Sequence, residues 1–374
     1  MRGAGLALAL ACAACGPQGD GNGRAAALCA PAFPPTRYRY TDADAPLPPH
    51  FRSSIAGTVV FSDNTPATNP ITNAGAELGR VLFYDTRLSV GNRIACASCH
   101  RQAFGFGDTA RFSAGVRGGH RPRHTMALAN ARFNDGGRFF WDERGSSLEH
   151  QVLEPILDTL EMGMELGVLE RKLSATAFYP GLFAAAFGSP AVTRDRIAAA
   201  LAQFVRSLIS GGSRFDAAFL TGGAPNFSVL TREEQEGFRL FNAAGCVNCH
   251  RTIALFADKA SNTGLDTVAA DTGAGEGRFK PPSLRNIAVR PPYMHDGRFA
   301  TLRDVVEFYS RSVQDSRFLD PRLRGPDGAP RRLNLTPAQV GSVVAFLESL
   351  TDTAFLHAER FADPFPCHAR GRRS

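Results

Sequence analysis

The sequence predicts a mostly α-helical fold of two similar small domains, joined and wrapped by long loops. Three observations lead there. A helix-periodic segment followed by a Cys-x-x-Cys-His motif occurs twice, first ending at His100 and then at His250. Apolar residues recur at helical spacing in Glu77-Leu-Gly-Arg-Val-Leu-Phe83 and again in Glu236-Gly-Phe-Arg-Leu-Phe241. Alternating strand patterns are scant, whereas helix-start signals are plain. The repeat therefore reads as an internal duplication, and both copies end in His-Arg, at His100-Arg101 and His250-Arg251.

The elements follow in chain order. Arg2 precedes a short apolar run, Leu6 to Ala14, which fits an export signal and is too short to span a bilayer. Cys12 and Cys15 follow small residues, which adds the expectation of a lipid anchor, although neither has a leucine three positions upstream. Ordinary cleavage near Ala27 is the alternative. Residues 1–28 are assigned to the signal and 29–50 to an N-terminal arm rich in Gly, Ala and Pro. The first domain takes 51–212, closing after a helix from Thr193 to Ser210 at the Gly211-Gly212-Ser213 break. The second takes 213–362. Thr231-Arg-Glu-Glu234 is a capping box opening its motif-bearing helix. Thr336-Pro337-Ala-Gln339 starts a late helix through Leu350, with a cap, a proline at the first position and a box partner. Residues 363–374 form a basic tail.

Cys-x-x-Cys-His is the attachment signal for a c-type haem: each cysteine adds to a vinyl group and the histidine ligates iron. Cys96, Cys99 and His100 form the first site, and Cys246, Cys249 and His250 the second. A zinc ribbon would need further cysteine pairs nearby, and there are none. The expected fold is therefore two cytochrome c-like haem domains in an exported, periplasmic chain. Of the eight cysteines, Cys29 and Cys367 remain. In an oxidising compartment they could staple the two ends together. The formal net charge is +7, part of it in Arg370-Gly-Arg-Arg373. Without an aromatic-interleaved basic stripe or a nucleic-acid motif, no DNA or RNA partner is expected. A positive surface would instead steer an acidic protein partner.

The landmarks Asn69-Pro-Ile-Thr72, Leu78-Gly-Arg-Val-Leu-Phe83, Phe140-Trp-Asp142, Pro282-Ser-Leu-Arg-Asn286 and Pro292-Tyr-Met-His-Asp-Gly297 carry a resemblance. Over about 69–350 the chain resembles the bacterial di-haem cytochrome c peroxidase and MauG family. That likeness implies an enzyme whose N-terminal haem reacts with hydrogen peroxide and whose C-terminal haem handles electrons. The family's distal Gln and Glu, ten and twenty residues after a Trp, correspond to Gln151 and Glu161 after Trp141. It implies Glu161 as the acid–base group, Gln151 as its hydrogen-bonding neighbour, and Trp141 as a relay between haems.

The sixth ligand of the second haem separates the branches. Peroxidases carry Met in the helix after the His-Asp-Gly turn, and this chain carries Tyr309, as MauG-like enzymes do. A Met thioether raises the iron potential. A tyrosinate is a hard anionic donor that favours oxidised iron. Met294 is the competing ligand. His120 is the alternative distal ligand for the first haem, one that MauG-like enzymes lack. The resemblance also implies an interdomain Ca²⁺ held by the carbonyls of Arg290 and Pro292, with His124 standing where the family often has Asn. The expected function is a peroxide-dependent di-haem oxidase. It would form a high-valent state shared by both haems and oxidise a partner substrate, with a protein Trp or Tyr the expected target as in the MbnH-like branch. The alternatives are a peroxidase drawing electrons from a small cytochrome as redox partner, and a non-enzymatic electron-transfer cytochrome.

Overall fold

The computed structural model describes residues 28–52, 59–220, 224–251 and 259–371. The signal run with Cys12 and Cys15, the Ala27 cleavage point and Arg372–Arg373 lie outside them. The described residues form helices and turns, with β-pairing confined to isolated bridges. Among them no helix is long and apolar enough to cross a membrane.

Each half rests on one pair of crossed helices. In the first, α1 (Asn73–Tyr84) packs on α2 (Arg194–Ser207). In the second, α3 (Arg232–Ala243) packs on a later helix, α5 (Pro337–Glu348). Between them in sequence lies α4 (Leu302–Glu307). Both crossings are closed by a glycine. A Cβ on Gly79 would run into the Ala200 carbonyl, and one on Gly237 into the Ser342 carbonyl. The duplication read from the motifs is thus a duplication of packing. The caps are as expected: Thr231 with Glu234, and Thr336 with Gln339. The helix expected over Thr193–Ser210 stops at Ser207, where Leu208 leaves helical geometry.

Two hydrophobic cores result. The first gathers Leu78, Phe83, Phe106 and Phe204, and the second Phe241, Ile287, Val306 and Phe346. Their membership crosses the sequence boundaries at both ends. Phe355, Leu356, Phe361 and Phe365 return to the first core, although all but Phe365 were assigned to the second domain. Leu47, Phe51 and Val59 pack in the second core, although they were assigned to the arm and the first domain. Residues 363–371 are not simply a tail, because helix Pro366–Gly371 carries Cys367 into a disulfide with Cys29. Burial, which sequence order does not encode, decides which core a terminal segment joins.

A buried ion pair locks the second half. Both oxygens of Asp216 accept from Arg285 at 2.7 Å, and neither side chain is exposed. His50 from the arm lies 2.8 Å from the same carboxylate. Burial pushes the Asp216 carboxyl up, but Arg285 and His50 hold it well below the usual range. Asn286 then bonds Ser210 Oγ and the Asp352 amide, tying the halves together.

Candidate active site

A cavity of about 960 Å³ opens at the first motif. That is at the upper end of the roughly 300–1,000 Å³ of small-molecule and cofactor sites. Cys96, Cys99, His100, Trp141, Gln151 and Glu161 all line it. The structure therefore brings together six residues spread over 65 positions of sequence.

The attachment residues fit a haem. Cys96–Cys99 is a single helical turn that hands on to His100, whose amide donates to the Cys96 carbonyl at 2.8 Å. The second motif repeats this contact, His250 to Cys246, at 2.9 Å. No disulfide joins any of the four motif cysteines. Burial pushes the Cys96 and Cys246 thiols up to about 12 and Cys99 to about 11. Thiol–disulfide chemistry needs the opposite, a lowered pKa. His100 Nδ1 lies 3.0 Å from the Phe106 carbonyl, which would leave Nε2 to ligate a haem iron. Burial holds this imidazole below the usual histidine range, in the neutral form that binds iron. Lys280 on the cavity wall, whose Nζ donates to the Arg138 carbonyl, would be a cation available to the carboxylates that haem carries.

Six carboxylates line the cavity. Five are committed to arginines: Asp142 and Asp271 to Arg123, Glu154 to Arg144, Asp158 to Arg121, and Asp296 to Arg298. Glu161 alone has no ion pair among the described residues. Burial and then the Asp158 charge raise its pKa, against the pull of Arg121 and Arg144. Its position comes from the backbone: its amide donates to Asp158 at 3.0 Å, and its carbonyl accepts from Val116 at 2.7 Å. Gly115 permits that approach, since a Cβ there would strike the Leu160 carbonyl. Gln151 ends a short helix, Leu148–Gln151, capped by Ser147. It faces the same cavity as Glu161, from a separate local frame, and among the described residues the two side chains share no hydrogen bond.

Trp141 is buried at the seam between the halves. Its Nε1 donates to the His124 carbonyl at 2.7 Å, and its carbonyl accepts from the Lys280 amide at 2.8 Å. Arg123 clamps the neighbouring Asp142 to Asp271 of the second half. His295, which lines the same cavity, sets its ring edge-on to Trp141 at 6.4 Å and stacks on Phe279 at 3.6 Å. The signal for this pairing was present in the repeat. Phe139-Phe-Trp-Asp142 and Tyr293-Met-His-Asp296 form the same bridged loop, Phe139 with Gly145 and Tyr293 with Phe299. Phe140 and Met294 both adopt positive φ, 68° and 73°. His295 is thus the counterpart of Trp141, and its carbonyl accepts from His124 as that of Trp141 accepts from Lys280.

At the second motif, α4 runs into a π-turn, Phe308–Ser312, a distortion found disproportionately at functional sites. This turn carries Tyr309. Burial, then the nearby Cys249 and Cys246, raise its phenol well above the usual range, while Thr263 hydrogen-bonds it. Met294 packs in the same cluster, with Phe308, Val313 and Leu319. His120 is not brought to the first cavity. It is exposed and stacks on Phe112 at 5.1 Å, because its Gly-rich loop turns outward.

Comparison with known proteins places the chain in a family. The model of the di-haem cytochrome c peroxidase family matches residues 73–224, and that of cytochrome c matches 234–351. Cytochrome c551 peroxidase of Nitrosomonas europaea is 33% identical over 314 residues, covering 79% of this chain and 87% of that protein. The chain belongs to the di-haem cytochrome c peroxidase family. The methylamine utilization protein MauG of Methylorubrum extorquens is also 33% identical, over 76% of this chain and 80% of its own length. Among solved structures, a MauG-like protein associated with microbial copper homeostasis superposes with a TM-score of 0.72 at 31% identity. That match covers 81% of this chain and 96% of the other. This di-haem enzyme therefore carries two covalently bound c-type haems, and it is an oxidoreductase of the peroxidase and MauG class.

Proposed function

We propose that this enzyme is an exported, peroxide-dependent di-haem oxidase of the MauG-like branch, acting on a protein partner. One observation carries the reading: the phenol buried against Cys246 and Cys249 belongs to Tyr309. As a tyrosinate it suits a haem that stores oxidising equivalents better than one that accepts electrons from a small donor. The haem iron supplies the redox chemistry with peroxide. Glu161, uncommitted and raised in pKa, moves the proton from one peroxide oxygen to the other so that water departs. Trp141 relays electrons across the seam, held by His124, Lys280 and the Arg123 clamp. The substrate is a Trp or Tyr side chain of a partner protein, oxidised at a distance. The Cys29–Cys367 disulfide supports an oxidising, periplasmic location. A lipid anchor at Cys12 or Cys15 belongs to the same proposal.

The competing reading, a peroxidase fed by a small cytochrome, draws on Met294 beside Tyr309. Adding one equivalent of peroxide to the di-ferric protein separates them. The oxidase reading expects an immediate change in the Soret and near-infrared bands of both haems. Reaction only after half-reduction would overturn it in favour of the peroxidase.

A further inference from the structure

A guanidinium occupies the seam where the resemblance implies a Ca²⁺ ion. Arg290 is one of the two residues whose carbonyls were expected to ligate that ion. Its side chain is buried, 4% exposed. It reaches across to the first half, where a Cβ built on Gly107 would lie 3.4 Å from Arg290 Cδ and 3.6 Å from the Ala127 methyl. Its Nη2 donates to the Ser283 carbonyl, and Nε has no hydrogen-bond partner. Among the described residues no carboxylate pairs with it. Burial lowers its pKa to about 10, and Tyr293 is the ionisable neighbour that opposes this.

The position expected to add a side-chain donor to the Arg290 and Pro292 carbonyls fits an ion no better. His124 stands where a side-chain oxygen would be needed, and it lies within reach of the Arg290 charge. Its Nδ1 is committed to the Ala110 and Arg111 carbonyls, at 3.1 and 3.2 Å. Ca²⁺ takes about six to eight oxygen ligands. Here an imidazole whose Nδ1 is already engaged by two carbonyls replaces an oxygen donor. A divalent ion would also be set beside a buried monovalent cation, and like charges in a low-dielectric seam repel strongly. The residues present do not fit the ion.

We propose that the Arg290 guanidinium is itself the cation of this seam, standing in for a divalent metal, so that the two halves are held in register without Ca²⁺. The consequence reaches the relay residue. The seam fixes His124, whose amide donates to the His295 carbonyl at 2.6 Å and whose carbonyl accepts from Trp141 Nε1. A covalently tethered cation keeps that geometry independent of the surrounding calcium concentration.

The test uses the holoprotein and does not depend on the proposed function. Elemental analysis after purification in calcium-containing buffer should find calcium well below one per chain. Treatment with EGTA, and addition of millimolar Ca²⁺, should leave Tm and the haem spectra unchanged. One calcium per chain, or a Tm that falls on chelation, overturns the proposal. Arg290→Met should lower Tm, with Arg290→Lys recovering most of the loss because it keeps the charge. Equal stability of the Met and Lys variants at the wild-type Tm would also overturn it. If Arg290→Met fails to fold, the calcium content and EGTA response of the wild-type protein still decide.

Discussion

Replacing Glu161 by Gln removes the one cavity carboxylate that no arginine neutralises, and the structure predicts opposite signs for rate and stability. The amide keeps the side chain's size, and the residue's placement rests on its backbone bonds to Asp158 and Val116, so the turn is retained. An amide cannot shuttle a proton between peroxide oxygens. General acid–base catalysis is worth about 10²–10⁴ in rate, or roughly 2.7–5.5 kcal/mol of barrier. Stability moves the other way. The folded-state pKa of Glu161 is raised, so the folded protein holds this proton more tightly than the unfolded chain does. The stability it contributes is present below the ordinary glutamate value of 4.5 and is lost as pH rises through the raised value. At neutral pH the ionised side chain is a burden that Gln lacks. Stopped-flow mixing of the di-ferric variant with peroxide should show the rate loss, and the wild-type rate should follow an apparent pKa above 4.5 that vanishes in the variant. Thermal melts from acid to neutral pH should show the variant no less stable than wild type. A rate within about threefold of wild type would refute the assignment, since no general acid–base role is that small.

Three further outcomes are expected. Tyr309→Phe should leave peroxide reacting at the first haem while the second haem's bands no longer change with it, read by Soret and near-infrared spectroscopy; an unchanged joint response would remove Tyr309 from the second site. Arg285→Met strands the Asp216 carboxylate without its bidentate partner and should cost about 3–5 kcal/mol in denaturant unfolding, where an isolated surface ion pair would cost under about 1 kcal/mol. Replacing Cys29 and Cys367 together by Ser opens a crosslink spanning 338 residues of sequence and should cost about 2–5 kcal/mol. Electron transfer between haems should be preserved in that variant, because the disulfide ties the termini and not the seam.

The sequence by itself determined whatever chemistry is written in adjacent residues. Haem attachment needs two cysteines and a histidine within one turn, so Cys96–His100 and Cys246–His250 declared it without any tertiary contact. Capping boxes and helical periodicity are equally local, and Thr231–Glu234 and Thr336–Gln339 start their helices where they were expected. The tertiary structure alone decided what depends on partners distant in the chain. It sent Phe355 and Phe361 to the first core and Phe51 to the second. It matched Trp141 with His295 through two loops 154 positions apart, left Glu161 unpaired among neutralised carboxylates, and buried the Arg290 side chain. Charge pairing and burial are properties of space and not of spacing. A carboxylate becomes an acid–base group, or an arginine a structural cation, only once the fold has decided what lies beside it.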